Sequence, residues 1–230
     1  MLGLYRKILG HPFVYDQIRP RVVGGIDMRS LYERLGEGES GAGRVVLDVG
    51  CGTGDALRYL SSFESYLGID TDPVAIEAAK ARYGNRPGVR FECRMLQEED
   101  VRELEPTGVV LSGVLHHLTN AEADGVLRLV ASSPRLVRVV TNDIVFLPGQ
   151  LFNNVLAMMD RGRYCRDPDA YAGLARRAGF DVGSGDVLGS SPTNDRVRYY
   201  FMSLVPSERG GEQYESPKHE PAKLEVEVRS

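Results

Sequence analysis

The chain has 230 residues, of which 42% are hydrophobic and 26% charged, enough for one substantial core with small additions. Its formal net charge of −4 excludes a general electrostatic attraction to nucleic acid or anionic lipid and leaves only a local basic patch for such contacts. Cys51, Cys93 and Cys165 are far apart, odd in number and without CxxC spacing, which fits a reducing compartment with neither a disulfide framework nor a zinc site.

The opening stretch MLGLYRKILGHPF lacks the long apolar run and small-residue cleavage site of a signal peptide. No run of about 18 apolar residues occurs anywhere, so no membrane span is expected and the cytoplasm is the expected location. Residues 1–40 read as helical pieces broken at Gly10, Pro12, Pro20 and Gly24-Gly25, and Gly36–Gly43 is a turn-rich connector.

From Arg44 onward strands and helices alternate. Arg44–Val49 is a short apolar run ending in glycines, the pattern of a buried parallel strand. A short helix is predicted over Asp55–Phe63 and a second strand over Tyr66–Asp70. Asp72 then caps a helix, Val74–Tyr83, with Pro73 in its first turn and Gly84 at its end. Strands are predicted at Val89–Met95 and Val109–Leu115. Thr119 and Glu122 have the spacing of a capping box for a helix over Ala121–Ala131, and Leu136–Phe146 contains a fifth strand. Gln150–Asp160 reads as a helix. Its apolar stripe of Leu151, Phe152, Val155, Leu156 and Met159 faces the core in the default reading. Asp167 caps a helix over Asp169–Ala178 that stops at Gly179, and Phe180–Leu188 with Val197–Val205 form a final antiparallel pair. Residues 207–230 are polar and rich in Glu, the composition of a disordered tail.

A βαβαβ run with short loops requires a mostly parallel, doubly wound sheet with helices on both faces. The expected layout is a helical cap segment at 1–40, an α/β domain at 41–206 with a cap insertion at 148–164, and the tail.

Such sheets bind ligands at the carboxyl ends of their strands. Asp48, Gly50, Gly52 and Gly54 stand at one such end, where close ligand approach leaves no room for a Cβ and the turn calls for positive φ. The spacing is not GxGxxG: counting from Gly50 reaches Asp55 and counting from Gly52 reaches Leu57, so a nicotinamide dinucleotide is disfavoured. A phosphate-cradling loop would carry Lys-Ser or Lys-Thr, and a phosphate would face Asp48 and Asp55. A sulfonium cofactor bearing an ammonium group welcomes those acids.

LDVGCGTG, followed by an acid at the next strand end, resembles the class I S-adenosylmethionine-dependent methyltransferases over roughly residues 44–205. The resemblance implies a Rossmann-like, seven-stranded sheet with an antiparallel final strand. It implies that Asp48 and the backbones of Gly50, Cys51, Gly52 and Gly54 hold the amino-acid part of S-adenosylmethionine. It also implies that Asp70, with Thr71 after it, meets the ribose hydroxyls. The chain departs from the family where many members carry an acid after the third strand. The stretch here is Cys93-Arg94-Met95-Leu96, so Met95 and Leu96 are expected to clasp the adenine, with Gln97 or Glu98 at its amino group.

After the fourth strand, Val114–Leu118 resembles the LHHL segment of small-molecule methyltransferases that include quinone-modifying enzymes. Ser112 is expected to approach the cofactor through its backbone. The absence of an Asn/Asp-Pro-Pro-Tyr motif argues against nucleic-acid bases and glutamine as acceptors. A general base is needed only for a protonated nucleophile, and histidine, with its ordinary pKa of about 6.5, suits that task. His117 is the first candidate and His116 the second; the alternative is that both only line the pocket. Adjacent histidines on a strand end point apart, which weighs against a metal, and none is expected. The N-terminal PFVYDQIRP segment resembles a lid of related enzymes, with Tyr15 either closing over the cofactor or packing on an auxiliary helix. In Asp160–Tyr164, Arg161, Arg163 and Tyr164 are candidates for holding an acidic acceptor, against the alternative of a solvated charged turn.

The expected activity is methyl transfer to O, N or C of a small molecule in bacterial secondary-metabolite or sugar and lipid-precursor biosynthesis, with S-adenosylhomocysteine as product. The expected partner is that small molecule, not nucleic acid, and the expected assembly a monomer or homodimer. The alternatives are a same-fold, cyclase-like enzyme that uses the cofactor without methyl transfer, and a non-catalytic cofactor-binding regulator.

Overall fold

The structure is a computed structural model that describes residues 28–36, 43–159, 163–191 and 194–207. The expected cap pieces before residue 28 and the expected tail after 207 lie outside the described residues. In chain order the elements are α1 (Arg29–Gly36), β1 (Val45–Val49), β2 (Ser65–Asp70), α2 (Pro73–Tyr83), β3 (Val89–Cys93), α3 (Glu98–Leu104), β4 (Gly108–Ser112), α4 (Asn120–Ala131), β5 (Arg138–Ile144), α5 (Leu151–Met159), α6 (Pro168–Arg177), β6 (Phe180–Ser191) and β7 (Asn194–Pro206).

The strands form one sheet of seven in the order β3-β2-β1-β4-β5-β7-β6. All pairings from β3 to β5 are parallel, and β7 runs antiparallel to both β5 and β6. The strand order reverses beside β1, between β2 and β4, and opens a crevice at their carboxyl ends.

Two cores cover the two faces. On one, Val101 of α3, Leu127 and Val130 of α4 and Tyr171 and Leu174 of α6 pack on Leu47, Val109 and Val139. On the other, Leu31 and Leu35 of α1 and Ile76 and Ala79 of α2 pack on Val46, Tyr66 and Val110. β1 is buried along its whole length, as a strand covered on both faces must be.

The helix starts follow the expected chemistry. The Asp72 carboxylate accepts from the amides of Val74 and Ala75, Asp167 accepts from Ala170, and Thr119 and Glu122 close a reciprocal capping box. Several elements differ from expectation, β6 and β7 among them, which run longer. The stretch expected as a helix over Asp55–Phe63 is only a 3-10 turn over Asp55–Arg58. β3 stops at Cys93 and β4 at Ser112, and Leu115–His117 is a 3-10 turn rather than strand. Helix α3 is an addition. Its sequence EEDVREL buries only Val101 among its apolar residues, too sparse for a periodic signal, but a Gln97–Asp100 capping box starts it.

α5 turns most of its apolar stripe outward, as a cap over the site would, while Leu156 packs on the core. Leu151, Phe152, Val155 and Met158 face outward, with Leu151 80% exposed, while Asn153 is buried. The Asn153 amide donates to the Val145 carbonyl at 2.7 Å, and its oxygen accepts from the Arg198 amide at 2.7 Å. Asn154 donates to the Leu147 carbonyl and accepts from the Leu147 amide. Backbone groups at the end of β5 need these partners more than the core needs another apolar face. Asn153→Ala is therefore expected to destabilise the fold by about 2 kcal/mol, because it orphans a buried carbonyl and a buried amide. Urea denaturation measures this, and an unchanged midpoint would contradict it.

Candidate active site

The loop leaving β1 turns on three glycines in left-handed conformation: Gly50 at φ 72°, Gly52 at 53° and Gly54 at 76°. Their surroundings differ. A Cβ on Gly50 would lie 2.7 Å from Cγ2 of Val114, and one on Gly54 would lie 2.9 Å from the Phe91 ring, so both glycines permit close packing. At Gly52 a Cβ would meet nothing within 4 Å, and that stretch of backbone lies open.

Asp70, at the end of β2, holds this loop. Its Oδ2 accepts from the Gly52 amide at 2.8 Å and its Oδ1 from the Asp72 amide at 2.9 Å. Each oxygen keeps a second lone pair. The Gly50 and Cys51 amides both donate to the Ile69 carbonyl, so the ends of β1 and β2 are tied twice. Thr71 follows in an exposed position, and Cys51 is buried with its thiol pushed up by burial and by Asp48. Asp55 forms a surface ion pair with Arg82 at 3.1 Å.

Asp48 is 2% exposed. Oδ2 accepts from the Tyr66 hydroxyl at 2.6 Å, and Oδ1 is buried with no hydrogen-bond partner among the described residues. Burial raises its pKa to about 7; the Tyr66 hydrogen bond opposes the shift and the nearby Asp70 charge adds to it. Both Tyr66 and Tyr32 of α1 are held well above the usual tyrosine range by burial and by Asp48. A buried carboxylate with one unanswered oxygen beside an open glycine turn suits a cationic group.

After β3 the expected adenine clasp is not assembled as a pair. Met95 is 74% exposed, whereas Leu96 packs into the core beneath. The Arg94 guanidinium makes a bidentate pair with Asp100 and also bonds Glu92, while the Asp100 carboxylate accepts from the Gln97 amide. These bonds hold Asp100 low despite its desolvation. Gln97 and Glu98 are exposed at the start of α3.

The histidines sit beyond β4. Ser112, half-buried, pairs in register with Asn142 of β5, and the Gly113 amide donates to the Asn142 carbonyl. His116 is buried, with Nδ1 2.7 Å from Oδ1 of Asp143; the same oxygen accepts from the His116 backbone amide at 3.0 Å. Asp143 is 1% exposed and its Oδ2 is without a hydrogen-bond partner among the described residues. His117 is exposed. Its ring lies 4.1 Å from that of His116, so the two do not point apart as strand geometry would make them. The 3-10 turn brings them together. Among the described residues no group of three His, Cys, Asp or Glu is placed to hold a metal ion.

Tyr164 reaches this turn through its backbone, its amide donating to the His116 carbonyl at 3.0 Å. Arg163 and Tyr164 are exposed. Tyr15 and Arg161 lie outside the described residues. Sequence reasoning missed Asp143, Tyr66 and Arg166. Asp143 was visible only as a charge inside an apolar strand, TNDIV, where an unpaired carboxylate would be costly.

Residues 46–135 match the family model described as a methyltransferase domain. The fold has many solved counterparts. Magnesium protoporphyrin IX methyltransferase from Synechocystis PCC 6803, solved with bound SAH, aligns with a TM-score of 0.58 and 19% identity over 77% of this chain and 81% of that one. The chain shares the fold of this methyltransferase. The chain also aligns with human N-acetylserotonin methyltransferase in complex with SAM (TM-score 0.60, 16% identity, 88% of this chain). There it spans only 62% of the longer protein. A chain from the Haloferax volcanii complex that contains the Trm112 methyltransferase activator aligns at TM-score 0.66 and 13% identity over 90% of this chain and 100% of that one. No curated protein sequence matches. No helix among the described residues of the domain is long and apolar enough to cross a membrane.

The buried acid makes the stability of this domain depend on pH. Between its ordinary value of 3.8 and about 7, folded Asp48 keeps a proton that the unfolded chain has lost. Stability from this group is present at acid pH, falls as pH rises through that window and is lowest above it. Asp48→Asn is expected to raise the melting temperature at about pH 8 and to leave it nearly unchanged below about pH 4, read by thermal denaturation across pH. Parallel curves for the two proteins would contradict this.

Proposed function

We propose that the chain transfers the methyl group of S-adenosylmethionine to a small-molecule acceptor whose nucleophile carries a proton before reaction. We place it in a cytoplasmic, bacterial-type pathway for secondary metabolites or for sugar or lipid precursors. The observation that carries this reading is Gly52: open backbone at φ 53°, with its amide fixed on Asp70 at the switch point of the sheet.

When bound, S-adenosylmethionine supplies a methyl group already activated by the sulfonium. The chain's own residues position it and manage a proton. The open turn at Gly52 accommodates the amino-acid part without a Cβ in the way. Asp48, with Oδ1 unanswered, offers negative charge in a desolvated setting and loses its proton when a cation arrives. Asp70 uses its remaining lone pairs for the ribose hydroxyls.

His116 is the base in this reading, supported by its pairing with Asp143 and its burial. With its Nδ1–H donating to Asp143, the ring carries its basic lone pair on Nε2. Asp143 fixes that tautomer and stabilises the imidazolium formed when the acceptor's proton moves to Nε2. Burial excludes water from the transfer. His117, more exposed, lines the approach.

S-adenosylmethionine at millimolar concentration is expected to raise the melting temperature, whereas NAD is not. Asp70→Ala and Gly52→Val are each expected to abolish that shift. An equal shift in the variants, or none in the native protein, would refute the cofactor site.

For the base, S-adenosylhomocysteine release is measured over a panel of phenols, amines and carbon acids. With an accepted substrate, His116→Gln is expected to lower kcat by about 10²–10⁴ while cofactor affinity stays within about twofold. Undiminished turnover would remove His116 as base.

A further inference from the structure

Arg166 lies between the end of α5 and the start of α6, and its guanidinium is buried. Five hydrogen bonds occupy its five N–H donors. Nε donates to Asn120 Oδ1 at 3.0 Å, Nη1 to the carbonyls of Leu115 and Tyr164 at 2.8 Å each, and Nη2 to the Leu118 carbonyl at 2.7 Å and Asn120 Oδ1 at 2.9 Å. Every one of these acceptors is neutral. Burying a charge is costly, and a chain that only needed to join these segments could use an uncharged donor. What a guanidinium adds is a rigid planar fork that reaches several carbonyls at once from a fixed centre.

The acceptors have one thing in common. Leu115, Leu118 and Asn120 bracket His116, and Tyr164 is the residue whose amide holds the His116 carbonyl. The Arg166 backbone is itself fastened to the end of β5, through a bridge to Val145 and a bond from the Phe146 amide to the Arg166 carbonyl. That anchor is two residues beyond Asp143. The histidine turn and the strand that carries its carboxylate are therefore clamped to one another through a single side chain.

We propose that Arg166 is a positioning residue that sets the His116–Asp143 pair in its hydrogen-bonded geometry. It does so by fixing the 115–120 turn against the end of β5 and against the chain returning from α5. The proposal rests on the reading of His116 and Asp143 as the proton-handling pair. It adds that the pair depends on a guanidinium which need not touch acceptor or cofactor.

The test uses the full chain labelled with ¹⁵N-histidine and needs no acceptor. The Nδ1 proton of His116 is followed by NMR as a protected low-field signal, assigned by its loss in His116→Gln and in Asp143→Asn. In Arg166→Lys, which keeps the charge but not the fork, and in Asn120→Ala, that proton is expected to exchange with water at least about tenfold faster. S-adenosylhomocysteine binding by calorimetry is expected to stay within about twofold of the native protein, which shows that the rest of the domain is folded. Arg166→Met is expected to lose the signal altogether. Unaltered exchange in both Arg166→Lys and Asn120→Ala overturns the role of Arg166. Equal weakening of the signal and of S-adenosylhomocysteine binding also overturns it, in favour of a general structural role. Absence of the protected signal from the native protein overturns the His116–Asp143 reading itself, a different failure.

Discussion

The hydrogen bond from the Gly52 amide to the Asp70 carboxylate joins the ends of two parallel strands, and the rest of the site is organised around it. β1 and β2 are fixed in register along their lengths, so their carboxyl ends arrive side by side. A chain leaving β1 there must turn at once, and three left-handed residues make the turn. A residue with a Cβ would be strained at each of them. Asp70 then gives the turn a fixed partner. Gly50 allows Val114 to close on the turn, and Val114 opens the segment that carries His116. Glycine turn and histidine turn are thus packed on one another by the absence of one Cβ.

Asp48, Asp143 and Arg166 are all removed from solvent. Burial of a charged group costs stability unless hydrogen bonds or counter-charges offset it. Arg166 is fully satisfied by neutral acceptors. Asp48 and Asp143 each retain a buried oxygen without a partner among the described residues. A fold optimised for stability alone would hold apolar residues there. The cost falls at the carboxyl ends of β1 and β5, on the two sides of β4. These are the ends facing the crevice where open α/β sheets bind ligands.

Much of this was legible in the sequence because the deciding signals are local. The glycine spacing, the acid at Asp70, the Asp72 and Asp167 caps and the Thr119–Glu122 box all act within a few residues, and the structure has each in place. What was not legible depends on contacts between distant segments. The apolar stripe of α5 fits a core face or a cap equally well in sequence, and Asn153 and Asn154 decide the orientation, because the backbone at the end of β5 requires hydrogen-bond partners. His117 and His116 are equivalent as neighbours in sequence. They become different only when Asp143, 27 residues further along, meets one of them. Helix α3 starts on a capping box but carries too few apolar residues to announce itself.

The turn at Gly50–Gly54, with Asp48 and Asp70, is the proposed site for S-adenosylmethionine. A crystal structure of the full chain grown with S-adenosylhomocysteine tests it most directly. The amino-acid end of the ligand is expected along the Gly52 backbone with its ammonium toward Asp48, and the ribose hydroxyls on Asp70. Ligand bound elsewhere, or a glycine turn left empty by a protein that calorimetry shows to be saturated, would contradict it.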